Sequence, residues 1–93
     1  MGRKSNMELM LDYVEDYLRG DTERIFFDLD FHYYLKKYYP AMERNNPYMA
    51  DCFFYYLCEE GVNVSEGLSD AQHKKLIRGQ WKKFTDTFSD GMW

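Results

Sequence analysis

Helix punctuation constrains this chain more than any other feature. Ser5 and Glu8 stand three apart as a capping box, Ser69 and Gln72 repeat the arrangement, and Asn46-Pro47 pairs a capping side chain with a first-turn proline. Gly20 falls where a left-handed C-terminal stop belongs, and Gly61 supplies a stop farther along. Between these signals apolar residues recur at three- and four-residue spacing, and no segment sustains the alternation of a half-buried strand. The spacing predicts an all-α fold, a small four-helix orthogonal or bundle-like domain over residues 1–93, with helices near 6–19, 22–38, 47–60 and 70–88.

The first predicted helix sets Met7, Met10, Leu11, Val14, Tyr17 and Leu18 on one side and Glu8, Asp12, Glu15, Asp16 and Arg19 on the other. Asp21 or Thr22 is expected to cap the second, with Glu23 in its first turn. That helix is so apolar that Asp28, His32 and Lys36 form its one clear polar stripe, which marks it as the central element. Pro40 disfavours helical geometry at Tyr39, so the helix should stop near residue 38, with Ala41-Met42-Glu43-Arg44 as a short extra, fifth turn.

The third helix carries Tyr48, Met49, Cys52, Phe53, Tyr55, Tyr56 and Leu57 around most of its circumference, and Gly61 should stop it. Gly61 to Leu68 is the longest expected connection, its valines pinned to the bundle. In the fourth helix Ile77, Trp81, Phe84 and Phe88, with Leu76 beside them, make the apolar face, and Asp90-Gly91 would end it.

Aromatics are 19% of the chain and charged residues 30%, enough apolar surface for a core without staples and enough charge to oppose collapse. No apolar run approaches the roughly 20 residues of a membrane span. Acids follow the basic N-terminal residues directly, where a signal peptide would be apolar, so a cytoplasmic location is expected. Cys52 and Cys58, six apart on one helix, are separated by about 9 Å along its axis and should be reduced. With His32 and His73 the only histidines and no close cysteine pair, neither a zinc site nor another cofactor is expected.

Charge is uneven. Residues 1–60 hold seven basic and twelve acidic side chains, net −5, while residues 61–93 hold five and four, net +1. The five basic residues Lys74, Lys75, Arg78, Lys82 and Lys83 crowd the fourth helix, and Lys75, Arg78 and Lys82 share one flank suited to phosphates or an acidic partner. The plainer role of this ridge is to solvate an amphipathic helix, and a pI near 5.1 opposes long-range attraction to nucleic acid. The opposite candidate surface is acidic: Glu8, Asp12, Glu15, Asp16, Asp21 and Glu23. It suits a basic partner, although carboxylates there also keep a small domain soluble.

Asp28, Asp30 and His32 mimic a catalytic set, but on a helix Asp28 and His32 are neighbours while Asp30 points roughly 160° away. Acids beside Cys58 should raise its thiol pKa, and the scattered glycines build no phosphate loop. Seven of nine tyrosines lie in two stretches, as Tyr33, Tyr34, Tyr38 and Tyr39 and as Tyr48, Tyr55 and Tyr56, so some rings must reach the surface as a contact patch or a core boundary. The expected function is a non-enzymatic protein-binding or regulatory module using acidic and aromatic helix surfaces, with another protein as partner and homodimerisation left open. A nucleic-acid-associated protein using the basic ridge is the alternative, and an enzyme comes third.

Overall fold

The computed structural model describes residues 5–87, and among them every regular element is helical. Helix α1 spans Asn6–Arg19, α2 Arg24–Asn45, α3 Pro47–Phe53 and α4 Asp70–Thr87. A π-helical stretch, Phe54–Glu59, continues α3, and a single 3-10 turn, Val62–Val64, lies in the connection to α4. The described residues adopt the predicted all-α class, with four α-helices. Phe88 and the Asp90-Gly91 stop lie outside the described residues.

Local signals fixed most helix ends. Glu8 N–H donates to Ser5 Oγ at 3.1 Å while Ser5 N–H donates to Glu8 Oε1 at 3.3 Å, and Gly20 closes α1 in the left-handed region at φ 89°. Ser69 and Gln72 exchange the equivalent bonds at 3.0 and 3.2 Å, and Asn46 Oδ1 accepts from the Met49 amide at 3.1 Å.

Helix α2 departs from expectation at both ends. It starts at Arg24, so neither Asp21 nor Thr22 caps it; Glu23 sits at the N-cap itself and its side chain makes no capping bond. It runs through Pro40 to Asn45 as one helix, with no separate fifth turn. The proline removes one amide donor and crowds the Lys36 carbonyl, a cost of about 3 kcal/mol in a helix interior. Against this stand the complete burial of Met42, worth about 1.5–3 kcal/mol, and a helix end closed by the Asn46 amide on the Met42 carbonyl at 2.9 Å. Stopping near residue 38 would forfeit both. Pro40→Ala returns a donor to Lys36 at an exposed position, so urea denaturation should show a gain of about 1–2 kcal/mol after the looser unfolded chain is allowed for. A loss would show that the proline suits this backbone.

The third helix is α only to Phe53 and then widens, the Glu60 amide reaching back five residues to the Tyr55 carbonyl at 2.9 Å. In the following connection Ser65 is buried, its hydroxyl donating to the Val62 carbonyl at 2.8 Å. Val64 is 55% exposed, so it does not pin this loop as expected.

The chain divides into two compact units, one ending at Ala50 and the other starting at Asp51. In the first, Met7, Met10, Leu11, Val14 and Tyr17 of α1 and Phe27, Phe31, Leu35 and Met42 of α2 are buried. Phe27 is its aromatic centre, stacked on Tyr17 at 4.3 Å and on Tyr13 at 5.3 Å. In the second unit Phe53, Leu57, Cys58, His73, Ile77 and Phe84 are buried, with Phe53 edge-on to Phe84 at 5.5 Å. The helical period of α4 thus reaches back to His73, four residues before Ile77, which the apolar pattern alone left out.

Candidate functional site

Helices α1 and α2 enclose a cleft of about 450 Å³ within the first unit. One wall is a row at four-residue steps, Thr22 at the turn and then Phe26, Asp30, Tyr34 and Tyr38 along α2. The other is Leu9, Asp12, Tyr13 and Asp16 of α1, with Met10 at the base. The row neighbours the buried one that starts at Phe27, so it lies at the edge of the core, where rings keep one side dry and present the other to water.

Tyr13 holds the walls together. Its hydroxyl donates to the Phe27 carbonyl at 2.6 Å, its ring stacks on Phe27, and Tyr34 meets it edge-on at 5.2 Å. Tyr34 in turn stacks with Tyr38 at 6.1 Å. Burial pushes the Tyr13 hydroxyl well above its ordinary value near 10, and the fields of Asp30, Tyr34 and Asp28 push the same way. The folded chain therefore holds this proton more tightly than the unfolded one. Its contribution to stability is complete below pH about 10 and is lost as the pH rises beyond that. Tyr13→Phe should lower stability at pH 7 yet flatten the decline above pH about 10 in denaturation series; an unchanged alkaline slope would remove Tyr13 as its source.

The predicted acidic surface is split by this geometry. Asp12 and Asp16 turn to the cleft, Glu8 is occupied in its capping box, and Glu15 stands exposed with Glu8 on the flank of α1 next to Asp12, outside the cleft lining. Asp21 and Glu23 lie in the exposed turn between the helices. Arg19 bridges Asp16 and Asp21, its Nε donating to Asp21 Oδ2 at 3.3 Å. Asp30 completes the cleft without an ion-pair partner among the described residues, a placement not expected from the sequence. The signal was present in its four-residue spacing from Phe26 and Tyr34.

The other candidates do not converge into a site. Asp28 receives a hydrogen bond from Arg24 Nε at 3.3 Å, His32 is exposed with its ring edge-on to Phe31, and Asp30 faces the cleft. Cys52 is half-buried and Cys58 buried, both as free thiols. Burial, then the charge of Glu59, pushes the Cys58 thiol up, with a hydrogen bond to Asn63 pulling the other way. On α4, helical phase keeps Lys75, Arg78 and Lys82 on one flank, puts Lys83 on another and leaves Lys74 half-buried. Lys82 pairs with Asp86 at 3.0 Å. No group of three or more metal-ligating side chains occurs among the described residues, and no described helix is long and apolar enough to cross a membrane. Comparison with family models, curated proteins and solved structures finds no match to this chain, so function rests on its own residues.

Proposed function

We propose that the α1–α2 cleft docks a lysine- or arginine-bearing segment of another protein, making the chain a non-enzymatic binding or regulatory module. The observation that carries this reading is the meeting of Asp12, Asp16 and Asp30 with Tyr13, Phe26, Tyr34 and Tyr38 around one cleft. Carboxylates select a cation, aromatic faces attract it through their quadrupoles, and an apolar floor receives the methylenes of its stem. The same combination is poorly suited to phosphate, which the carboxylates repel.

The test is a fluorescence-anisotropy titration with labelled Lys/Arg-rich decapeptides and glutamine-substituted counterparts. Asp12→Asn with Asp30→Asn should weaken binding at least about tenfold, as should Tyr34→Ala, each the equivalent of about 1.4 kcal/mol. Glu8→Gln with Glu15→Gln removes the same charge from the adjoining flank, outside the cleft lining, and keeps the capping box, so it should cost clearly less affinity than the cleft pair. Equal losses from both pairs would reduce the effect to net charge and end the reading. A salt-sensitive mobility shift of DNA or RNA that disappears in Lys75→Glu, Arg78→Glu and Lys82→Glu would favour the basic ridge instead.

A further inference from the structure

A second row of α2 lies beside the cleft wall and has no use in that reading. Ile25, Leu29 and Tyr33, again at four-residue steps, are 67%, 72% and 61% exposed, and neighbouring Phe26 is 56% exposed. Together they leave on the order of 500 Å² of apolar side chain in water, at the upper end of what a monomer carries as one patch. The patch occupies the first half of the exposed face of the helix. The next turn of that face is basic, with Lys36 and Lys37 three and four residues after Tyr33, and the turn before the helix is acidic, with Asp21 and Glu23.

This polarity is self-complementary in one orientation. We infer that α2 pairs antiparallel with α2 of a second copy, on a two-fold axis through Leu29. Within α2, residues whose numbers add to 58 then face one another, so that Leu29 meets Leu29 and Ile25 meets Tyr33, while Lys36 and Lys37 arrive at the end of the partner helix, beside the turn that carries Asp21 and Glu23. A parallel pairing would set the lysines of one copy against those of the other. The groups needed at the rim are within reach: Lys36, Lys37, Asp21 and Glu23 are all exposed, Glu23 and Lys36 have no ion pair among the described residues, Asp21 keeps its second oxygen beyond the bond to Arg19, and Lys37 rests over the Tyr38 ring at 5.5 Å. Apolar surface with this charged rim amounts to roughly 800 Å² per copy at most, no more than the standard size of a specific interface, so the test covers dissociation constants in the micromolar range.

Sedimentation velocity on the full chain from about 5 to 500 µM tests this, with helix content followed by circular dichroism. The expected record is a concentration-dependent shift from monomer to dimer, lost in Leu29→Lys through a rise of at least about 30-fold in dissociation constant. Lys36→Glu with Lys37→Glu should weaken the dimer about tenfold, as should Asp21→Lys with Glu23→Lys, while the four changes combined restore it. Monomer throughout the range, dimers indifferent to Leu29→Lys, or charge swaps that fail to rescue each other would overturn the proposal. Rescue is the arm that fixes the antiparallel register.

Discussion

Phe27→Ala should cost about 3–5 kcal/mol, the largest single-residue loss in the first unit and a sizeable share of the stability of so small a chain. Phe27 has no exposed surface, and its ring is a shared partner: Tyr17 stacks on it at 4.3 Å and 16°, Tyr13 at 5.3 Å and 18°, and Phe31 tilts against it at 5.4 Å. Truncation opens a cavity that three rings cannot fill together without leaving their rotamers, so both transfer and cavity costs apply. The hydrogen bond from Tyr13 ends on the Phe27 backbone carbonyl and survives the change, so the loss measures packing alone. Phe26→Ala is the control, since that neighbouring ring is 56% exposed and should matter by less than about 1 kcal/mol. Urea denaturation followed by near-ultraviolet tyrosine dichroism distinguishes them. Comparable costs for both residues would mean that burial at Phe27 is not what holds α1 on α2.

How far the chain announced this arrangement depended on whether each signal was local. Ser5 with Glu8, Asn46, Gly20, and Ser69 with Gln72 act within one helical turn, so their bonds could be read from spacing alone. Pro40 is local too, but it misled, because Met42 gains its burial from tertiary packing that spacing does not reveal. The π-helical stretch after Phe53 had no composition of its own to mark it. On α2, apolar side chains occupy nearly the whole circumference, so periodicity supplies two dry faces and no way to choose. The structure selects Phe27, Phe31 and Leu35 for the core and leaves Ile25, Leu29 and Tyr33 in water. The acidic character of α1 was legible; its convergence with Asp30 and the tyrosines into a cleft required knowing which face of α2 turns toward it.

Two glycines in the second unit should answer the same substitution with opposite signs. A Cβ at Gly61 would stand 2.6 Å from the Leu57 carbonyl oxygen, 3.1 Å from that of Tyr56 and 3.2 Å from Cδ1 of Ile77. Two of these neighbours are backbone at the end of the π-helical stretch and the third is a fully buried side chain of α4, so none can withdraw at low cost. Gly61 lies just past the helix end, where a stop was expected; its φ of −116° is outside the left-handed region, and what requires glycine there is this close approach. Gly61→Ala should therefore destabilise by about 2–3 kcal/mol, the range for forcing extra carbon into a packed site. At Gly79 an added Cβ meets nothing within 4 Å, and the residue sits exposed inside α4. There alanine reduces the entropy lost on folding and should stabilise by about 0.5–1 kcal/mol. Tryptophan fluorescence with far-ultraviolet dichroism during urea denaturation follows both variants. A Gly61→Ala protein as stable as its parent would show that the helix end can move away from α4, and would remove the close contact as the reason for glycine at that corner.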